Sequence, residues 1–354
     1  MQLGILGLPK SGKTTLFNVL TSSEEHTDKY VPSTKINVGT AKVSDSRLDR
    51  LRDLFQPKSF VPAVTQYVDI PGIERGDGSQ NLNLGELRNV DALVHVVRVF
   101  EDPEILHAEG SVDAARDVAT IDLELILADY EIIERRLGRL IQAEKRGLTD
   151  HEKRERALLI DVVQPALDME KPLRELGLQG DDELRLRGYQ FLSQKPMLVV
   201  LNVGEDRMSS GGEVAVETGD SVQAMSVCAT LEAEVARLEP DERAAFLEDF
   251  GLGESSVVRV VRASYELQGL VSFFTVGEDE VRAWTIRRGT VARKAAGAVH
   301  SDIERGFIRA EVVGSSELLD LGSLSACRDK GVLRLEGKDY LVEDGEVVHF
   351  RFNV

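Results

Sequence analysis

Residues Gly7 to Thr14 read GLPKSGKT and match the pattern Gly-x-x-x-x-Gly-Lys-Ser/Thr. In such a loop the backbone N–H groups wrap phosphate oxygens. No other feature constrains the fold as tightly, because the loop works only between a buried strand and the start of a helix. Both flanks comply: QLGIL is apolar, and TLFNVL places apolar residues at helical spacing. Gly7, Leu8, Pro9, Lys10, Ser11, Gly12, Lys13, Thr14 and Thr15 therefore form the candidate phosphate cradle. Glycine lets the backbone curl, and the helix after the loop brings its positive end to the phosphates. Lys13 is placed to reach the β and γ phosphates, and the Thr14 hydroxyl to ligate Mg2+.

Four further runs read as strands of the same sheet: VTQYVDI (64–70), ALVHVVRV (92–99), PMLVVLNV (196–203) and the shorter VQAMSV (222–227). The first three are continuous and rich in Val, the pattern of parallel strands covered on both faces. Between Val99 and Pro196 the texture turns helical. Leu123, Ile126, Leu127, Tyr130, Ile133, Leu137, Leu140 and Ile141 recur at steps of mostly three and four, and Pro165 and Pro172 are expected to break or kink the helical stretch. The stretch is too long for a βα connection, so an antiparallel helical arm inserted into the sheet domain is expected. From about Val271 the chain changes to short strands and turns around its single Trp, Trp284. The expected architecture is α/β: a phosphate-loop nucleotide domain with a mainly parallel sheet (1–120 and 193–270), an inserted helical arm (121–192) and a small C-terminal β-rich domain (271–354).

Composition narrows the function classes. With 42% hydrophobic and 29% charged residues the chain has the balance of a soluble globular protein. No apolar run approaches the roughly 18 residues of a membrane span. The start lacks a signal-peptide pattern, and two cysteines cannot build a disulfide framework, so the expected location is the cytosol, with no membrane partner. A net charge of -18 argues against nucleic-acid binding by the whole surface. One stretch differs: residues 281–301 hold Arg282, Arg287, Arg288, Arg293 and Lys294 with no carboxylate. It reads as a solvated sheet face or as a local RNA contact.

Three more segments carry candidate chemistry. Asp69, ending the strand of VDIPG, is the expected partner carboxylate that holds Mg2+ through water, and the Gly72 N–H can face a γ-phosphate. The next position, where many such enzymes carry a water-orienting Gln, is Ile73. LNVGEDR places Asn202 and Glu205 at a strand end, where a guanine-reading loop would have Asn-Lys-x-Asp; Val203 replaces the Lys. The longer acid and missing Lys loosen guanine selection without creating adenine selection. Cys228 and Ala229 in VCATLE complete the expected base loops, with the Ala229 N–H facing the base edge and Cys228 read either there or as a buried apolar residue.

Taken together, GLPKSGKTTLFNVLT, YVDIPGI, DALVHVVRVFEDPEILH, LELILADYEIIERRL, LNVGEDR and EGKDYLVEDGEVVHFRFNV resemble the Obg-like ATPases of the YchF family, over nearly the whole chain. The resemblance implies an ATP-preferring hydrolase with Mg2+, a coiled-coil arm, a C-terminal TGS domain of β-grasp type, and the ribosome as a partner that stimulates hydrolysis, touched by the arm and the TGS domain. The family's proposed catalytic histidine falls on His107, beside Lys13 as the second catalytic residue. A conventional GTPase, or a nucleotide-gated binding module with negligible hydrolysis of its own, stays open beside this reading.

The chain departs from the family pattern in three places. VPSTKIN stands where the family's switch segment has Pro-Phe-x-Thr, leaving Ser33 or Thr34 as the Mg2+ ligand, with Thr34 favoured. The loop after Gly72 looks shorter than the family's glycine-rich stretch. Lys10 and Ser11 stand where the family usually has Asn and Val, and the resemblance implies that this Asn helps hold an activating K+. A Lys10 ammonium in that place would substitute for the cation. Turnover should then be the same in NaCl and KCl at equal ionic strength; strong stimulation by K+ would contradict it.

Overall fold

The structure is a computed structural model that describes residues 1–23, 36–73, 82–209, 216, 219, 222–249 and 253–353. Ser33, Thr34 and most of the loop after Gly72 lie outside the described residues. The chain forms two compact units, residues 1–40 with 66–260 and residues 41–65 with 261–354.

Seven strands come first in the chain: β1 (Gln2–Leu6), β2 (Asn37–Lys42), β3 (Ser59–Val61), β4 (Val64–Asp69), β5 (Ala92–Arg98), β6 (Met197–Asn202) and β7 (Gln223–Val227). All but β3 join one sheet in the order β2-β4-β1-β5-β6-β7. The pairs β1–β4, β1–β5, β5–β6 and β6–β7 are parallel. Every residue of β5 and β6 is buried, which is why these runs carry no polar alternation. The order places β1 beside β4 and β5, so the loop leaving β1 emerges between the loops that leave its neighbours, at the carboxyl ends of the strands.

The long helix Ala114–Glu144 comes after β5. Asp113 caps it, its carboxylate accepting from the Arg116 N–H at 3.0 Å. At about 1.5 Å per residue it is roughly 46 Å long, and its two halves serve different cores. Ile121, Leu125 and Ala128 pack with Leu6, Ile70, Leu93 and Met197 of the sheet. Ile133 and Leu140 pack with Leu158, Leu159, Val163, Leu167 and Phe191 of the returning segment. A domain boundary at 121 thus cuts one continuous helix. The returning helix Asp150–Leu158 starts at a capping box, in which Thr149 and Glu152 satisfy each other's backbone N–H groups. Pro165 does not break it, because a π turn at Leu159–Val163 widens the helix ahead of the proline. Pro172 does not end it either: the helix stops at Asp168, Glu170 turns left-handed at φ 54°, and Pro172 stands extended ahead of a separate 3-10 turn at Leu173–Leu176.

The second unit is built on β8 (Leu270–Thr275), β9 (Glu280–Arg287), β10 (Phe307–Gly314), β11 (Arg334–Glu336) and β12 (Glu346–Phe352), in the order β11-β10-β12-β8-β9-β3. The sequence pattern begins this unit at 271, but β3 pairs parallel with β9, and residues 41–65 and 261–270 belong to it as well. A three-residue strand, SFV, leaves no periodic signal to find. The helix Ala292–Val299 lays Ala292, Ala295 and Ala296 against Phe273, Ile286, Val312 and Phe350. The cations of 281–301 are less bare than their local sequence suggests. Lys294 Nζ lies 2.6 Å from Glu304, and Arg282 lies 3.7 Å from Glu280 and stacks 4.2 Å over the Trp284 ring. Their acidic partners stand just outside the stretch.

The root of the helical insert depends on one buried carboxylate. Asp129 accepts from the Leu192 N–H at 2.8 Å, the Ser193 N–H at 2.7 Å and the Ser193 hydroxyl at 2.8 Å, with Arg88 at 3.2 Å. Asp129→Ala should therefore cost about 3 kcal/mol in urea unfolding, because it strands two buried amides and a guanidinium. A loss below about 1 kcal/mol would show that the insert is held by its apolar contacts alone.

Candidate nucleotide site

The loop between β1 and the helix Lys13–Thr21 is shaped by two left-handed residues, Lys10 at φ 62° and Gly12 at φ 92°. A side chain at Gly12 would overlap the Asn202 amide, so both its backbone angle and its surroundings require glycine. Lys10 holds a left-handed angle that non-glycine residues rarely adopt. Gly72 is required for a different reason: a Cβ there would stand 2.8 Å from Pro9 Cα. The segment after β4 is thereby pressed onto the loop, and the Ile73 N–H donates to the Gly7 carbonyl at 3.1 Å. The Ile73 side chain is fully buried.

Lys13 and Thr14 open the helix. The Lys13 ammonium donates to the Leu8 carbonyl at 2.8 Å and so lies back across the loop. Burial lowers its pKa from 10.5 to about 8, against the opposing pull of Asp69. The Thr14 hydroxyl donates to Asp69 Oδ2 at 2.8 Å. A hydroxyl and a carboxylate in contact, next to a phosphate loop, are hard oxygen donors of the kind Mg2+ takes. Thr15 continues the first turn, and Ser11 is buried with its hydroxyl unpartnered.

Asn202, expected in the base loop, has both ends of its amide engaged within the protein. Its side chain is buried, with its Nδ2 donating to the Ser11 carbonyl at 3.0 Å and its Oδ1 accepting the Ala229 N–H at 3.1 Å. The two groups expected to face the base thus bond to each other, because the end of β6 lies directly between the phosphate loop and the end of β7. Val203 is buried, its N–H donating to the Val227 carbonyl at 2.9 Å. Glu205 is exposed at the start of the short helix Glu205–Ser209. Cys228 is fully buried in an apolar cluster with Leu201, Val203 and Leu231, which fits the second of its two readings, a buried apolar residue.

The structure therefore brings Lys13, Thr14, Asp69, Gly72, Asn202 and Ala229 to one set of strand ends. His107 makes its contacts outside this group, with Asp117 and the Glu109 N–H. Two buried charged residues escape a reading of the sequence. Arg98, ending β5, binds the carbonyls of the loop that carries His107; a cation closing a Val-rich strand is a visible signal. Asp117 has no signal beyond being an acid in a first helical turn.

A strand, a left-handed loop, a helix opened by Lys and Thr, and an Asp at the end of the adjacent parallel strand define a P-loop nucleoside triphosphatase domain. A family model described as 50S ribosome-binding GTPase matches residues 2–132, and the C-terminal YchF-GTPase model, described as a protein of unknown function, matches residues 270–353. The chain is 42% identical to the Ribosome-binding ATPase YchF of Bacillus subtilis, over 99% of both chains. It is 35% identical to the human Obg-like ATPase 1, over 100% of this chain and 92% of that one. The solved structure of the Schizosaccharomyces pombe YchF GTPase superposes with a TM-score of 0.85 at 29% identity, covering 99% of this chain and 97% of that one. The chain belongs to the YchF family.

Phosphates select the charged form of Lys13. In the free protein that form is lost as pH rises through about 8, so triphosphate affinity should fall about tenfold between pH 7 and pH 9. Calorimetry near the upper end should show proton uptake on binding. Constant affinity across this range, without proton uptake, would contradict the assignment.

Proposed function

We propose that this protein hydrolyses ATP to ADP and phosphate at the phosphate loop and works as a nucleotide switch on the ribosome. The observation that carries the hydrolase reading is the single cluster formed by Lys13, Thr14 and Asp69. The relatives named Ribosome-binding ATPase support both the substrate and the partner. Thr14 and Asp69 would hold Mg2+, with Thr34 or Ser33 joining from the switch segment. The ion supplies charge neutralisation on the phosphates. The chain's own residues do the rest. Lys13 and the amides of residues 7–15 bind the phosphates and offset charge that builds on the transferring group. The Gly72 N–H faces the γ-phosphate. Ile73 has no group with which to orient water, so turnover without the partner is slow, and His107 handles the attacking water.

Base choice rests on Val203 and Glu205 where a guanine reader needs Lys and Asp. Adenine is read by nearby backbone groups, with Glu205 shaping the loop or acting through water. The GTPase alternative draws on the 50S ribosome-binding GTPase model and on the name of the fission-yeast relative. That model stops at residue 132 and so does not contain the residues that select the base. In this reading the unit of residues 1–40 and 66–260 forms the nucleotide domain with an inserted coiled-coil arm, whose first helix is Ala114–Glu144, and the unit of residues 41–65 and 261–354 contains a TGS domain. The arm and the TGS domain touch the ribosome, and 281–301 gives an RNA contact, in a cytoplasmic protein.

Side-by-side titration with non-hydrolysable ATP and GTP analogues should show tighter binding of the ATP analogue. Tighter binding of the GTP analogue would replace this reading with the GTPase one.

A further inference from the structure

The segment between β5 and the long helix is tied down at both ends. At its start Arg98, 3% exposed, donates from Nε to the Phe100 carbonyl at 3.1 Å and from Nη2 to the carbonyls of Ile105 and Asp102 at 3.0 and 3.4 Å. The same guanidinium stacks 4.5 Å over the Phe100 ring. At the other end the His107 side chain, 6% exposed, is engaged at both nitrogens. Nδ1 accepts the Glu109 N–H at 3.1 Å, and Nε2 lies 3.0 Å from Asp117 Oδ2. A turn closes around it, the Gly110 N–H donating to the His107 carbonyl at 3.0 Å.

These contacts assign the proton of the ring. An imidazole whose Nδ1 lone pair is taken by an amide carries its hydrogen on Nε2. Here the protonated Nε2 lies 3.0 Å from Asp117 Oδ2, a charge contact without hydrogen-bond alignment, and it is what compensates that buried oxygen. Neither ring nitrogen then offers a lone pair, and a general base needs one within reach of its water. In this pose His107 is chemically silent. It is not a catalytic dyad either, because a carboxylate that activates an imidazole leaves the far nitrogen free, and here the far nitrogen is taken by Glu109.

Asp117 cannot travel with the ring. It is 1% exposed in the first turn of the helix Ala114–Glu144, and its N–H donates to the Asp113 carbonyl at 3.0 Å. Its Oδ1 accepts from Arg116 Nε at 3.1 Å and Nη2 at 2.8 Å. Arg116 is itself anchored to the Ser111 carbonyl at 2.5 Å. The carboxylate belongs to the rigid helix, and the histidine to the loop.

We propose that Asp117 is a latch that holds His107 in this silent pose, so that hydrolysis becomes fast only once the loop leaves the carboxylate. This rests on the reading of His107 as the residue that handles water. Asp117 is then a positioning residue whose removal speeds the reaction, the opposite of what loss of a catalytic partner does.

The test uses the full chain, with Asp117→Asn, His107→Ala and the double variant assayed for ATP turnover without ribosomes. Asp117→Asn should raise turnover on the order of three- to tenfold, and the double variant should show none of that gain. Nucleotide affinity should stay unchanged in all three. Turnover unaffected by His107→Ala ends the reading of His107 and the latch with it. A fall in His107→Ala alongside unchanged or lowered turnover in Asp117→Asn overturns the latch alone. A second measurement needs no variant in the assay: nitrogen-15 shifts of the His107 ring in the wild-type chain, assigned by the signal missing from His107→Ala. The latch requires the proton on Nε2 and a bare Nδ1; a ring protonated on Nδ1 overturns it.

Discussion

The geometry of the nucleotide site depends on one carboxamide. Asn202 bonds the phosphate loop through the Ser11 carbonyl and the last strand's loop through the Ala229 N–H. Gly12 has no side chain at the point where the amide sits. Three segments far apart in sequence, at 11–12, 202 and 229, are thus held by one side chain, which fills the space that a Cβ at Gly12 would need. Each of these buried hydrogen bonds contributes about 1 kcal/mol, and losing either leaves a buried group unsatisfied at about 1 to 3 kcal/mol. The loop also carries a strained residue, Lys10 at φ 62°, which persists only where the surroundings over-determine it.

Much of this is legible in the sequence because the signals are local. GLPKSGKT between an apolar run and a helical one fixes a strand, a loop and a helix, and Val-rich runs fix strands buried on both faces. Asp69 and Thr14 can be paired from the pattern alone, because one closes a recognisable strand and the other opens a recognisable helix. Side-chain direction is what the pattern lacks. Spacing puts Asn202 and Ala229 at the right strand ends, but only the parallel register of β6 and β7 shows that they face each other. β3 is invisible because three residues carry no period, and the long helix is entered late because its first turns, AARDVAT, have exposed alanines and a buried Asp117 that blur the apolar period. The acidic partners of the 281–301 cations lie outside that window, at Glu280 and Glu304.

The residues of the proposed catalytic machinery divide into a rigid part and a tethered part. Lys13, Thr14 and Asp69 are preset by the sheet, and electrostatic stabilisation needs such presetting. Ile73 closes the position where a water-orienting side chain would stand, with its N–H tied to Gly7. In the proposed function handling of water falls to His107, outside the cradle, and the segment carrying it is bound through carbonyls to Arg98 and through its ring to Asp117. Under that proposal such an arrangement makes chemistry conditional on release of that segment, as a switch requires.

The central claim is that Asn202 builds the site instead of choosing the base. Measuring ATP- and GTP-analogue affinities for Asn202→Ala tests it most directly. The account predicts that both affinities fall by the same factor, leaving their ratio unchanged. A change in the ratio, with one nucleotide affected and the other spared, would contradict it.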